Sequence, residues 1–204
     1  MFSIIRKVVN KNYINSFRKF SAKMEASKLV WMDMEMTGLE VEKCRVLQVA
    51  MIVTDEKLNV ISDDFCEVIH QNDETLDSMN DWCKENLKDL AESSRDSTLT
   101  EDKAEELMLS FLSKHVSPKS TPLAGNTIYM DRMFLRRYFP RVDDHLHYRI
   151  VDVSTIKELC RRWNPSVYKN APKKQLKHRA LDDIKESIEE LKHYKENFFK
   201  TVDQ

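Results

Sequence analysis

Leu29-Val-Trp-Met-Asp-Met-Glu35 is the stretch on which the fold turns. Leu29 to Met34 is apolar apart from one aspartate, and an apolar run of this length reads as a buried strand. A strand has period two, so Asp33 and Glu35 share one face while Met32 and Met34 take the other. Two carboxylates at the end of an apolar strand repel each other, and burying them unpaired is costly. A divalent cation removes both objections, and hard oxygen ligands suit Mg²⁺ or Mn²⁺. By itself Asp-x-Glu is a weak signal, because a solvated turn accounts for it nearly as well.

Outward from this strand the pattern stays β-like and then changes period. Val46 to Thr54 is apolar except for Gln48 and predicts a second strand; Val60 to Ile69 suggests a third, with a turn over Asp55–Asn59. Helical spacing follows over Thr75 to Leu87 and over Glu101 to Val116, where Leu107, Phe111 and Leu112 share a face and Thr100 is the candidate cap. Pro122 to Ala124 and Tyr148 to Val151 read as short strands. Ile128 to Tyr138 and Ser154 to Trp163 read as helices, ended by Pro140 and Pro165, and a last helix is expected from Ala180 to Phe198. Three early strands followed by alternating helices and strands imply an α/β domain with a mixed sheet.

Further residues give the carboxylate pair a chemistry. Asp131 lies near the start of a predicted helix, five residues after Asn126. His178 precedes Asp183 by five residues, about 500° of helix, so the two cannot share one helical face. They converge if His178 lies in the loop before the helix and Asp183 in its first turn. Two-metal phosphoryl chemistry needs several carboxylates around two ions and a base that titrates near neutrality. The chain has only two glycines, Gly38 and Gly125, each just after a predicted strand. Such positions are expected where φ is positive or the backbone passes close to a ligand.

Composition bounds the rest. A chain of 204 residues with 41% hydrophobic content makes one globular domain. No run of about 18 apolar residues exists to span a membrane. Cys44, Cys66, Cys83 and Cys160 have neither CxxC nor zinc-type spacing and read as reduced thiols. Residues 1–24 hold Arg6, Lys7, Lys11, Arg18, Lys19 and Lys23 with no acid, while Phe2, Ile5, Val9 and Tyr13 recur at helical spacing. That is the pattern of a mitochondrial transit leader ahead of a 25–204 domain. Initiation at Met24 would give a leaderless form for the cytoplasm or nucleus. Without those six basic residues, 27 basic face 34 acidic, a net of −7. Tracking a long nucleic acid normally calls for a basic stripe, so a nucleic-acid substrate should be short.

Four segments together resemble the oligoribonuclease family, DEDDh exonucleases of the RNase H-like fold. They are Trp31-Met-Asp-Met-Glu-Met-Thr-Gly-Leu39, Ala124-Gly-Asn-Thr-Ile-Tyr-Met-Asp131, His147-Tyr-Arg-Ile-Val-Asp-Val-Ser-Thr155 and His178-Arg-Ala-Leu-Asp-Asp183. Ser78-Met-Asn-Asp-Trp82 adds specificity, and the likeness runs from about Leu29 to Phe199. The resemblance implies a mixed five-stranded sheet flanked by helices. It also implies 3′-to-5′ hydrolysis of RNA of two to five nucleotides, with short DNA a second substrate class, and two Mg²⁺ or Mn²⁺ ions. Asp33, Glu35, Asp131 and Asp183 match its metal ligands, and His178 its general base. Leu39 and Trp82 match residues that bracket the two bases of a dinucleotide. Asn126, Thr127, Arg149 and Ser154 match substrate contacts, and Tyr148 a catalytic-site residue supplied across a homodimer interface. The leader fits the mitochondrial form of the family, which places the protein in the matrix.

The chain departs from the family at several places. Thr127 stands where a serine is usual and keeps the hydroxyl. Gln48 replaces a glutamate. Leu87 replaces a histidine that in bacterial relatives helps cap the 5′ phosphate, and Lys88-Asp-Leu-Ala-Glu-Ser-Ser94 lacks the family's Ser-Gly-Leu. These changes touch the restriction to dinucleotides and none of the five catalytic positions. The rival readings are an exonuclease on longer single-stranded RNA or DNA and a catalytically quiet RNA- or dinucleotide-binding module. His145 and His147 form a His-x-His pair that is read as structural.

Overall fold

The structure, a computed structural model, describes residues 27–173 and 179–199. The leader and His178 lie outside the described residues. Five strands form one mixed sheet: β1 (Leu29–Met36), β2 (Val46–Thr54), β3 (Phe65–Val68), β4 (Leu123–Gly125) and β5 (Ile150–Asp152), in the order β3-β2-β1-β4-β5. β1–β2 and β2–β3 are antiparallel, whereas β1–β4 and β4–β5 are parallel. This is the expected mixed five-stranded sheet. The C-terminal ends of β1, β4 and β5 therefore open on the same side, where ligand sites of open α/β sheets form.

Alternation along β1 divides the core. Val30, Met32, Met34 and Met36 pack with α4 (Glu101–His115), α5 (Tyr129–Tyr138) and α6 (Pro140–His145). Trp31 faces the other way, onto α7 (Val153–Trp163) and α9 (Ala180–Asn197), and its indole N–H donates to Thr54 Oγ1 at 2.9 Å. Asp33 and Glu35 share that second face, as period two requires, at the end the core does not cover. Full burial of an apolar side chain contributes about 1.5–3 kcal/mol. The two apolar layers thus hold β1 in register against the repulsion of its own carboxylates.

Several predicted boundaries differ. The third strand is only Phe65–Val68; Val60 makes a single antiparallel bridge to Thr54, and Val60 and Ile61 are exposed. Thr75–Leu87 is two short helices, α1 (Asp73–Asp77) and α2 (Asp81–Asn86). Asn80 breaks the run: its backbone is extended and its side chain accepts from Cys83 N–H, starting a new helix. Lys88–Asp96, the altered stretch, forms α3. Pro140 and Pro165 do not merely stop helices. Each sits in the first turn of a new one, α6 and α8 (Pro165–Lys169), where a missing N–H costs nothing. Thr100 caps α4 as expected, accepting from Lys103 N–H at 3.3 Å.

Neither glycine has positive φ; Leu58, Lys119 and Thr127 do. The glycines answer to close approach instead. A Cβ on Gly125 would lie 2.8 Å from the Met32 carbonyl oxygen, and one on Gly38 would lie 2.8 Å from Cys44 Sγ. Among the described residues no helix is long and apolar enough to cross a membrane.

Candidate active site

Asp33 and Glu35 meet Asp183, which lies in the first turn of α9. One oxygen from each carboxylate falls within 4.8 Å of the others. Asp131, in the first turn of α5, stands beside this group without joining it. The reason is a hydrogen bond: its Oδ1 accepts from Met34 N–H at 2.9 Å, which ties α5 to β1 between the two acidic positions. Placing both aspartates at helix N-termini sets them in the favourable end of a helix dipole.

Burial, and after it the neighbouring charges, raise the pKa values of these carboxyls. Burial first, and then the Asp183 charge, push Glu35 up from 4.5 to about 7. Burial pushes Asp131 up from 3.8 to about 8; hydrogen bonds from backbone N–H groups oppose the shift, and Glu35 and Asp152 add to it. A cluster of hard oxygens that resists ionisation alone has the donor chemistry a divalent cation satisfies. Both folded values lie above the ordinary ones, so the folded chain binds more protons than the unfolded chain. The resulting stability is present below about pH 4 and is lost as pH rises through 7 and 8. Cation-free protein should therefore melt lower at pH 8 than at pH 5.5. Glu35→Gln should raise the pH 8 midpoint by on the order of 5 °C. Thermal melts in EDTA read this, and a midpoint that Glu35→Gln leaves unchanged would contradict it.

Beside Glu35 a cleft of about 460 Å³ runs between β1 and α2, lined by Met34, Gly38, Leu39, Asn80, Trp82 and Leu87 among others. Leu39 is 68% exposed and Trp82 53% exposed. Trp82 is thus no core tryptophan, and two large apolar side chains flank an opening next to the carboxylates. The β1–β2 turn is held rigid by Thr37: its N–H donates to the Arg45 carbonyl, and its hydroxyl accepts from Arg45 N–H, both at 2.9 Å. Leu87 is buried at the back of the cleft.

Gln48 pairs with Glu35 across β1 and β2, and its Oε1 accepts from Ala180 N–H at 3.3 Å. The neutral amide helps hold the start of α9 without adding a carboxylate next to Glu35.

Asn126, Thr127 and Ser154 gather at the C-terminal ends of β4 and β5, whereas Tyr148 and Arg149 precede β5 at its other end. Thr127 adopts φ 54°, unfavourable for a β-branched residue. Its N–H reaches Asp152 Oδ1 at 3.1 Å and Ser154 Oγ at 3.0 Å. Asn126 Oδ1 accepts from the Ser154 hydroxyl at 3.1 Å. Asp152 also caps α7, accepting from Ser154 N–H at 2.9 Å. Sequence reading missed Asp152 as an organiser, although an aspartate just before a predicted helix is a cap signal. Tyr148 is 71% exposed, with the Arg149 guanidinium 5.5 Å from its ring centroid. The buried Arg132 pairs with Asp143 and donates to the His147 carbonyl at 2.7 Å, fixing the approach to β5. His145 and His147 are structural: His145 Nε2 sits 3.1 Å from the Val116 carbonyl, and the His147 ring stacks on Tyr148.

The exonuclease family model of the RNase T type matches residues 30–191. Two solved exonuclease I structures share the fold. The Escherichia coli enzyme, in a zinc-bound complex with single-stranded DNA, has TM-score 0.67 at 18% identity, over 83% of this chain and 40% of that one. The Methylocaldum szegediense enzyme has TM-score 0.64 at 19% identity, over 83% and 40%. This chain thus spans about two fifths of those longer proteins. Fold and matched family define the class: an exonuclease on an RNase H-like sheet. The mitochondrial oligoribonucleases of Bos taurus and Homo sapiens are each 50% identical over 177 residues, 86% of this chain and 75% of theirs. The Chromobacterium violaceum oligoribonuclease is 48% identical over 178 residues, 86% and 98%. The chain belongs to the oligoribonuclease family of 3′-to-5′ exoribonucleases.

Proposed function

We propose that this protein removes nucleoside 5′-monophosphates from the 3′ end of very short RNA, dinucleotides above all. The observation that carries this reading is the adjacency of the Asp33–Glu35–Asp183 cluster to a cleft flanked by exposed Leu39 and Trp82. A body of net charge −7 supports a short substrate, because there is little basic surface to follow a longer strand. Short DNA offers the same groups and is a secondary substrate.

Asp33, Glu35, Asp131 and Asp183 would hold two divalent cations, Mg²⁺ or Mn²⁺, which when bound polarise the phosphodiester, lower the pKa of water and stabilise the leaving 3′ oxygen. The protein's own groups do the rest. His178 accepts the proton of the attacking water. Leu39 and Trp82 hold the two bases, and Asn126, Thr127, Arg149 and Ser154 contact the substrate near its phosphates. The exposed Tyr148 completes the partner's site in a homodimer. We infer a mitochondrial matrix location from the acid-free leader at residues 1–24 and from relatives named mitochondrial; Met24 would start a cytoplasmic or nuclear form.

Trp82→Ala tests the cleft. Stacking of a base on an aromatic contributes roughly 1–3 kcal/mol. KM for a diribonucleotide should rise about tenfold or more while the fold is kept. Steady-state kinetics on labelled dinucleotide measures this; an unchanged KM would remove Trp82 from the site.

A further inference from the structure

The loop between β1 and β2 carries Leu39, and its anchoring reaches beyond its own neck. Thr37 and Arg45 close the base of the loop. Within it the Glu40 carbonyl accepts from Lys43 N–H at 2.9 Å and from Cys44 N–H at 2.8 Å. Bonds of this kind shape the loop without fixing where it stands over the cleft.

An anchor from outside comes from Tyr138, the last residue of α5. Its hydroxyl donates to the Val41 carbonyl at 2.7 Å, two residues along from Leu39. The ring is itself held: the Arg45 guanidinium lies 4.7 Å from its centroid, and the buried Phe134 ring lies 6.0 Å away. The Val41 side chain packs on the same core, but apolar packing is non-directional, so the hydrogen bond sets the loop's position. A further link, Arg137 to Glu42 at 3.2 Å, joins exposed side chains and adds little.

Asp131 gives this anchor its meaning. It lies seven residues before Tyr138, two helical turns, so both side chains leave one side of α5 about 10 Å apart along its axis. At one end Asp131 accepts from Met34 N–H, between the two acidic positions of β1. At the other end Tyr138 grips the loop that follows β1. One helix thus gauges the distance from the acidic cluster to Leu39, which lines the cleft beside Glu35.

We propose that Tyr138 is a positioning residue for Leu39, holding that wall of the cleft at a set distance from the carboxylates. Tyr138 does not line the cleft and acts through the Val41 backbone. The proposal rests on the exoribonuclease reading only in placing a base against Leu39. Tyr138→Phe removes one hydroxyl and keeps the ring, its packing and the Arg45 contact.

The test uses the full chain, Mg²⁺ and a diribonucleotide. Tyr138→Phe should raise KM about fivefold and leave kcat within about twofold, the signature of lost binding without lost chemistry. In a Leu39→Ala background the same change should move KM no further, because the wall it positions is gone. A merely structural role would lower the melting temperature and the active fraction, and so kcat, with KM intact; that result overturns the proposal. So does a rise in KM that persists without the Leu39 side chain. If the wild type cleaves no diribonucleotide, the exoribonuclease reading fails. Amide exchange of Lys43 and Cys44 then decides this inference, with about fivefold faster exchange in Tyr138→Phe expected and unchanged exchange overturning it.

Discussion

Asp33→Asn should reduce cation-dependent cleavage of a diribonucleotide by at least about 10³-fold and leave the fold standing. Asp33 is half-buried, close to Glu35 and Asp183, and one oxygen of each can meet a single ion. An amide keeps the shape but presents a neutral oxygen and a donor where a cation needs charge. Stability should not suffer. The β1–β2 ladder at Asp33 and Ala50 is made by backbone groups, and removing one charge relieves a repulsive cluster. Cleavage rates with added Mg²⁺, set beside a circular-dichroism melt, separate the two effects. Activity within tenfold of wild type would overturn the metal-site assignment.

His178→Ala should cost about 10²–10⁴-fold in kcat with a much smaller change in cation affinity. The argument is one of chemistry and sequence order. An unperturbed histidine titrates near neutrality, where water must lose a proton, and His178 is the second residue before α9, whose first turn carries Asp183. If the imidazole were a metal ligand, its loss would weaken cation binding as much as turnover. Calorimetric titration with Mn²⁺, run beside single-turnover rates, distinguishes base from ligand.

The parts of the fold that were legible in the sequence are those with one dominant signal. β1 and β2 are continuous apolar runs, and α4 and α9 have a clear helical period. Errors fell where local chemistry competed with pattern. Val60 and Ile61 look like strand residues, yet the chain leaves the sheet after one bridge at Thr54. Asn80 fits a helical stretch by spacing but stabilises a break by capping. Pro140 ends one helix and opens the next, and only the second role shows in its backbone neighbours.

The acidic centre was legible because carboxylates in a strand are conspicuous. The support behind it was not. Ser187 and Glu190 look like the solvent face of a long charged helix, and their partner Asn126 lies 61 and 64 residues away. Thr127's positive φ is likewise set by distant partners, Asp152 and Ser154. Buried Leu87 places an apolar wall at the back of the cleft, a feature its position at the end of a predicted helix did not announce.

The most direct measurement is cleavage of 5′-labelled RNAs of two to ten nucleotides, with Mg²⁺ and with EDTA. The expected result is a rate highest on the dinucleotide, falling with each added nucleotide, and abolished by EDTA. Equal or faster cleavage of the ten-mer, or activity that survives chelation, would contradict a cation-dependent enzyme whose cleft is fitted to two bases.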